Sequence, residues 1–254
     1  MFITGAGHHE ASWRLPGTAP ERVDDVHYFR EIAQTAERGK FDSIFFADVP
    51  AVGRHYDRVA QSSFEPLTLL SALALVTERI GLIGTVSTTY TEPYNLARQF
   101  ASLDHISRGR AGWNIVTSWS SAAAYNFGVD GRPGHSDRYT RAAEFLDVAT
   151  ALWDSWEDDA VVLDRDAGVY ADASRVHRID TRARTSGCAD RSTRHAPHKA
   201  DPCSSRPDRP PTVARSPRVT PRRSSLRRST STMRACSTAT SSGRPPSSDA
   251  IPRL

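Results

Sequence analysis

The first 180 residues contain no cysteine. No disulfide framework can exist there, so packing and hydrogen bonds must hold whatever folds. The remaining residues, 181–254, lack something different. They hold no Phe, Trp or Tyr and no Glu, so every one of the chain's 5 Trp, 7 Tyr and 9 Phe precedes Thr181. The three cysteines, Cys188, Cys203 and Cys236, all lie in this later stretch without metal-ligand spacing, which argues against a zinc site. Nowhere is there a long hydrophobic run. The longest, Leu67 to Val76, is far shorter than the roughly 20 residues that a bilayer requires. No basic region followed by an apolar stretch opens the chain, so no secretory signal is visible. The expectation is a cytoplasmic protein with no membrane partner.

Charge divides the chain at the same place. The 254 residues carry a net +4. Residues 181–254 contribute 15 Arg and 1 Lys against 4 Asp, a net +12, together with 10 of the 16 Pro and 23 Ser or Thr. Residues 1–180 hold 17 basic and 25 acidic residues, a net −8. The isoelectric point near 9.2 thus reflects the tail alone. It says nothing about the partners of the folded part.

Residues 1–180 read as alternating strands and helices. Val26, Phe29, Ile32, Ala33 and Ala36 recur at helical spacing, which predicts an amphipathic helix over Val23 to Arg38, stopped by Gly39. Phe41 to Ala47 is a short apolar run suited to a strand buried on both faces. Ser63 is placed to cap a helix with Pro66 in its first turn, continuing through Leu69, Leu70, Leu73 and Val76. Ile80 to Val86 is the next strand, Pro93 opens a third helix, and Gly112 to Val116 is a further buried strand. Asp137 begins a fourth helix with Ala142, Phe145, Ala149 and Leu152 on one face, and Met1 to Thr4 forms a short first strand. This is an α/β chain whose helices are long enough to connect parallel neighbours. A doubly wound sheet and half of a (β/α)8 barrel both fit. No glycine fingerprint follows a strand, and polar residues do: Asp48, then Ser87-Thr88-Thr89, then Thr117-Ser118. Barrel enzymes keep their chemistry at the carboxyl ends of strands, so the pattern favours the barrel.

Several stretches resemble one family. They are AERGKFDSIFFAD (Ala36–Asp48), the long segment from Phe64 to Ser118, NFG (Asn126–Gly128), HSDRY (His135–Tyr139) and LWDSWEDDA (Leu152–Ala160). They are similar to the flavin-dependent monooxygenases of the bacterial luciferase-like superfamily. The nearest branch is that of nitrilotriacetate monooxygenase component A, dibenzothiophene-sulfone monooxygenase and the pristinamycin synthase flavin subunit. The resemblance implies a (β/α)8 TIM barrel, a homodimer in intact relatives, and reduced FMN (FMNH2) as cofactor. It also implies a separate NAD(P)H:flavin reductase as partner, O2 as cosubstrate and a small organic substrate. In such chemistry the cofactor activates oxygen while the protein binds, orients and excludes water, so no nucleophile–base pair is expected to stand out.

Candidate residues carry two readings each. Asp48 ends the apolar strand, where a carboxylate can hold a flavin or be an ordinary loop residue. Thr85 ends the next strand, and the resemblance places a flavin contact there; a β-branched core residue is the alternative. His135 and Tyr139, four apart at a helix N-terminus, share one face beside the positive end of the dipole, which suits an anion or a flavin edge. Without the resemblance, capping or packing is the favoured reading of both. Asn114 and Thr117 are weaker candidates of the same type. Gly7-His8-His9-Glu10 with Trp13 resembles the family's first strand-to-helix loop, which makes His9 the catalytic candidate toward flavin or substrate. The cluster lacks a helical i, i+4 pair, so no metal site is expected. Glu157, Asp158 and Asp159 read as a solvated stretch.

The tail, 181–254, reads as an Arg/Ser/Pro-rich disordered segment, which could bind nucleic acid by charge. It lacks aromatics for base stacking and any regular RS or RGG repeat. Its composition is also what GC-rich DNA encodes out of frame. A shifted codon takes the third base of one codon and the first two of the next. From about Ala183 to Leu226, synonymous codons permit a continuous hidden string that includes RPVLIQAGSSADGRAFAARHAEAVF. It contains a strand, a helix and a loop resembling the family's phosphate-side QAGSS. The expectation is therefore an N-terminal half-barrel over 1–180, read in frame, and an out-of-frame tail with no nucleic-acid partner. A barrel closes with eight strands, and about four are supplied. Open edges and an apolar interior then predict a chain that is unstable or aggregates and lacks activity.

Overall fold

The computed structural model describes residues 1–52, 56–61, 64–118, 120–129, 134–182 and 187–188. All fall within the first of two units of the chain, Met1–Arg215; Ser216–Leu254 contains none of them. The tail expected to be disordered from residue 181 is instead paired as strands at Thr181–Arg182 and Gly187–Cys188, where backbone hydrogen bonds join the two segments; the rest of it, and Ser63, lie outside the described residues.

Four strands form one parallel sheet in the order β1 (Phe2–Ile3), β2 (Ser43–Phe46), β3 (Gly81–Ser87), β4 (Ala111–Val116). The connections carry α1 (Val26–Arg38), α2 (Pro66–Ala74) and α3 (Pro93–Ser107), and β4 is followed by α4 (Ser121–Asn126) and α5 (His135–Trp153). Parallel pairing requires each connection to cross back over the sheet, and these helices do so. Sequential strand order with a helix after each strand is that of the first four βα units of a luciferase-like (β/α)8 barrel.

Each helix is fixed by local chemistry. Asp25 caps α1 by accepting from the His27 N–H at 2.8 Å, so the helix begins at Val26 rather than Val23. Glu65 caps α2 by accepting from the Leu67 and Thr68 N–H groups, ahead of Pro66. That helix ends at Ala74, and Leu75 and Val76 lie beyond it. Gly39 follows α1 with an ordinary φ of −73°, and the left-handed residue is Lys40 at 58°. His135, two residues before Asp137, opens α5.

The sheet's helix-facing side carries Ile44, Phe46, Leu82 and Val86. They pack with Phe29, Ala33, Leu70, Leu73, Leu96, Leu103 and Phe145 in one core. Gly84 lets α2 lie close: a Cβ there would meet the Leu70 and Leu67 side chains at 3.1 and 3.2 Å. After α5 the chain forms an antiparallel hairpin, β5 (Val161–Asp164) with β6 (Val169–Ala171), and a short pair, β7 (Thr181–Arg182) with β8 (Gly187–Cys188). Neither α4 nor these hairpins was expected from the apolar pattern, which is weak across them. The acidic stretch is partly paired: His177 Nε2 donates to the Glu157 carboxylate at 2.8 Å, and Asp159 pairs with Arg175. No helix among the described residues is long and apolar enough to cross a membrane.

Candidate functional site

Parallel strands put all their carboxyl ends on one side of the sheet, and the polar residues that follow each strand gather there. Thr85 and Asn114 are register partners on β3 and β4, with their side chains on the sheet face away from the helices. The Thr85 hydroxyl donates to the Phe46 carbonyl at 2.9 Å and accepts from Asn114 Nδ2 at 3.0 Å, and Thr85 is buried. Its oxygen is therefore already engaged across three strands. Of the two readings of Thr85, the burial is that of a β-branched core residue, and the hydroxyl ties β2, β3 and β4 together.

Asp48 follows Phe46 by two residues, at the carboxyl end of β2. It is half-buried. Burial pushes its carboxyl above the usual carboxylate range, the negative charge of Glu65 adds to this, and a hydrogen bond from the Val49 backbone partly opposes both. An acid so placed carries a proton at higher pH than a loop aspartate.

His135 and Tyr139 share one face of the first turns of α5, with ring centroids 4.6 Å apart. Both are exposed, Tyr139 at 56%. His9 stands in the loop after β1, at this same end of the sheet. Its Nδ1 accepts from the Ala11 N–H at 3.1 Å, so a neutral ring carries its proton on Nε2. Its carbonyl accepts from the Ser12 amide and hydroxyl, and Trp13 donates to the Arg58 carbonyl at 2.7 Å. No described contact joins His9 to Asp48, Thr85 or the His135–Tyr139 pair. Among the described residues no group of three or more His, Cys, Asp or Glu is arranged to hold a metal ion.

Two residues at this end escaped the sequence reading. Arg138 is buried, with Nη1 donating to the Thr117 carbonyl at 3.0 Å and the Ser118 carbonyl at 2.7 Å. Arg141 donates to the Thr88 carbonyl at 3.0 Å and the Thr91 carbonyl at 3.1 Å. Together they hold the loops that leave β3 and β4. The signal was present: Arg138, Ala142, Phe145, Ala149 and Leu152 form one buried stripe of α5, and a cation on an apolar stripe marks a buried, hydrogen-bonded charge. A cleft of about 440 Å³ opens beside them, lined by Tyr90 and Phe127, whose rings stack at 4.9 Å, and by Glu92 and Asp137.

Residues 3–187 match the family model described as luciferase-like monooxygenase. The chain belongs to that family. Among curated relatives, it is 48% identical over 180 residues to N-acetyl-S-(2-succino)cysteine monooxygenase of Bacillus subtilis (strain 168), covering 71% of this chain and 41% of that protein. It is 49% identical over 187 residues to nitrilotriacetate monooxygenase component A of Aminobacter aminovorans, covering 69% and 41%. The crystal structure of a riboflavin lyase with modified FMN and riboflavin superimposes with a TM-score of 0.71 at 34% identity, over 78% of this chain and 47% of that one. The chain thus spans less than half the length of the luciferase-like relatives that it matches. The sequence-level resemblance to this family, and to the nitrilotriacetate monooxygenase branch within it, is borne out.

Proposed function

We propose that residues 1–180 are the N-terminal half of an FMNH2-dependent, O2-using monooxygenase of a two-component system, acting on a small organic substrate. The observation that carries this reading is the coincidence of the family match over residues 3–187 with the polar groups at the carboxyl ends of β2, β3 and β4. A separate NAD(P)H:flavin reductase supplies the reduced cofactor, and a reaction drawing on both belongs in the cytoplasm.

The residues present fit a flavin. The Thr85–Asn114 pair gives a rigid floor, the His135 and Tyr139 rings stand exposed at a helix N-terminus, and Asp48 brings a half-buried acid whose proton is held more tightly than usual. His135 and Tyr139 would hold the cofactor at that positive helix end, and Asp48 would orient a donor or hydrogen-bond the ring. His9 Nε2–H would face substrate from the β1 loop. The bound flavin supplies oxygen activation. The chain's own groups orient it and limit water near it.

The QAGSS loop that the shifted frame encodes is not among this chain's residues, so we infer that the 254-residue polypeptide itself lacks activity. The decisive measurement is the gene sequence across codons 175 to 190. Codons that do not yield the hidden string in the shifted frame overturn the frameshift. A frame-restored protein should consume O2 with FMN, a flavin reductase and NADH. Nitrilotriacetate and N-acetyl-S-(2-succino)cysteine, named in the two relatives, are the first substrates to assay. Failure of that restored protein to bind FMN overturns the flavin reading, and soluble 254-residue chain that binds reduced FMN overturns the inactivity.

A further inference from the structure

We propose that Arg138 is a positioning residue of the candidate flavin site, acting through the turn that follows β4; this rests on the flavin reading above. Three observations converge. First, the turn is strained: Ser118 has φ of 34°, in the left-handed region that side chains other than glycine rarely adopt. Such a conformation persists only where neighbours over-determine it. Second, those neighbours are identifiable. Arg138 Nη1 donates to the Thr117 and Ser118 carbonyls, which flank Ser118, Thr89 Oγ1 donates to the same Thr117 carbonyl at 2.9 Å, and Ser118 Oγ hydrogen-bonds Ser87 Oγ at 2.7 Å. Ser87 lies two residues along β3 from Thr85, on the same sheet face. Third, Arg138 is 6% exposed, and among the described residues its guanidinium hydrogen bonds go to those two carbonyls alone, with Nε unpartnered. A buried guanidinium that donates to two carbonyls of one turn holds that turn in place.

The chain of contacts runs from Arg138 through Thr117 and Ser118 to Ser87 and so to the Thr85–Asn114 floor. Arg138 also sits between His135 and Tyr139 in sequence, on the adjoining, buried flank of α5. One side chain thus sets the distance between the exposed ring pair and the strand ends. Arg141, one turn on, does the same for the β3 loop through Thr88 and Thr91.

The test uses Arg138→Met and Arg138→Lys in the 254-residue chain and in the frame-restored protein, with two readouts. FMN affinity is followed by flavin fluorescence in the frame-restored protein, and hydrogen exchange is followed at the amides of residues 117–121 in both. Arg138→Met is expected to weaken FMN binding about tenfold, to alter the visible spectrum of bound flavin and to speed exchange in the turn; Arg138→Lys, which keeps one donor, recovers part of each. A methionine variant that binds FMN like the parent overturns the proposal. So does one that loses FMN while the turn stays protected, because Arg138 would then touch the flavin itself. If neither parent nor variants bind FMN, the flavin reading fails, and faster turn exchange in the variants alone still supports the clamp. If the methionine variant does not fold, the lysine variant decides by the same two readouts.

Discussion

The two ends of the parallel sheet are held by the same kind of interaction and left in opposite states. At the amino end, Glu37 from α1 accepts three backbone N–H groups, from Glu78, Arg79 and Ile80, at 2.9, 2.6 and 3.0 Å. Beside it Arg110 donates to the carbonyls of Ser107, Ile80, Ala74 and Thr77 and to the Thr77 hydroxyl, all at 2.7 to 3.0 Å. Here an acid and a base lie near one another, one Glu37 oxygen takes three N–H groups and all five Arg110 donors are used. At the carboxyl end, Arg138 and Arg141 also hold loop carbonyls. Yet Asp48, His135 and Tyr139 remain exposed or half-buried with capacity to spare. Barrel enzymes divide labour in this way, stability below and chemistry above.

Substitutions can break that comparison. Arg110→Met should have the largest effect, about 3 kcal/mol of lost stability in denaturant melts, because it orphans α2's last carbonyls and removes the countercharge of Glu37. Glu37→Gln should lose about 1–2 kcal/mol. Burial alone would raise the Glu37 carboxyl, but the three N–H donors and the charge of Arg110 outweigh it and hold it below its ordinary value of 4.5. A lowered folded value gives stability that is complete above pH 4.5 and is lost as pH falls through the folded value; the glutamine variant should lack that slope. Asp48→Asn should act in the opposite direction, with a gain below about 1 kcal/mol at neutral pH. Its carboxyl is raised, so the parent is favoured below the ordinary value of 3.8 and loses that advantage as pH rises through the folded value. Smallest in stability are His135→Ala and Tyr139→Phe, within about 0.5 kcal/mol of the parent, whereas each should weaken FMN binding about tenfold in the frame-restored protein. A drop in melting temperature for these two, or lost FMN binding in Glu37→Gln, would contradict the division between the ends.

Much of this was legible in the residues. The apolar periodicity of α1, α3 and α5 and the short apolar runs of β2, β3 and β4 appear in the fold within a few residues, because amphipathic patterns record which side must be buried. Boundaries shifted where a side chain caps the helix, as Asp25 and Glu65 do; a cap depends on one rotamer reaching one N–H, which periodicity does not encode. The short α4 and the hairpin β5–β6 were missed because their apolar content is too sparse to give a period. Asp48, Thr85, His135 and Tyr139 could be named as candidates because they lie near the carboxyl end of a strand or in the first turns of a helix. Arg138 could not be assigned a role, since its partners lie in a loop 20 and 21 residues earlier in the chain.

The sequence by itself determined the family, the order of strands and helices, and the sharp change of composition near residue 180. Those follow from local pattern and from motifs that survive without their neighbours. Tertiary structure alone decided which polar groups spend their hydrogen bonds on the fold and which keep them free. Thr85 is committed to Phe46 and Asn114, Arg110 to five oxygens, and Arg138 to the turn after β4. That distinction depends on distances between atoms far apart in the chain, and a linear pattern of residue types contains no such distances.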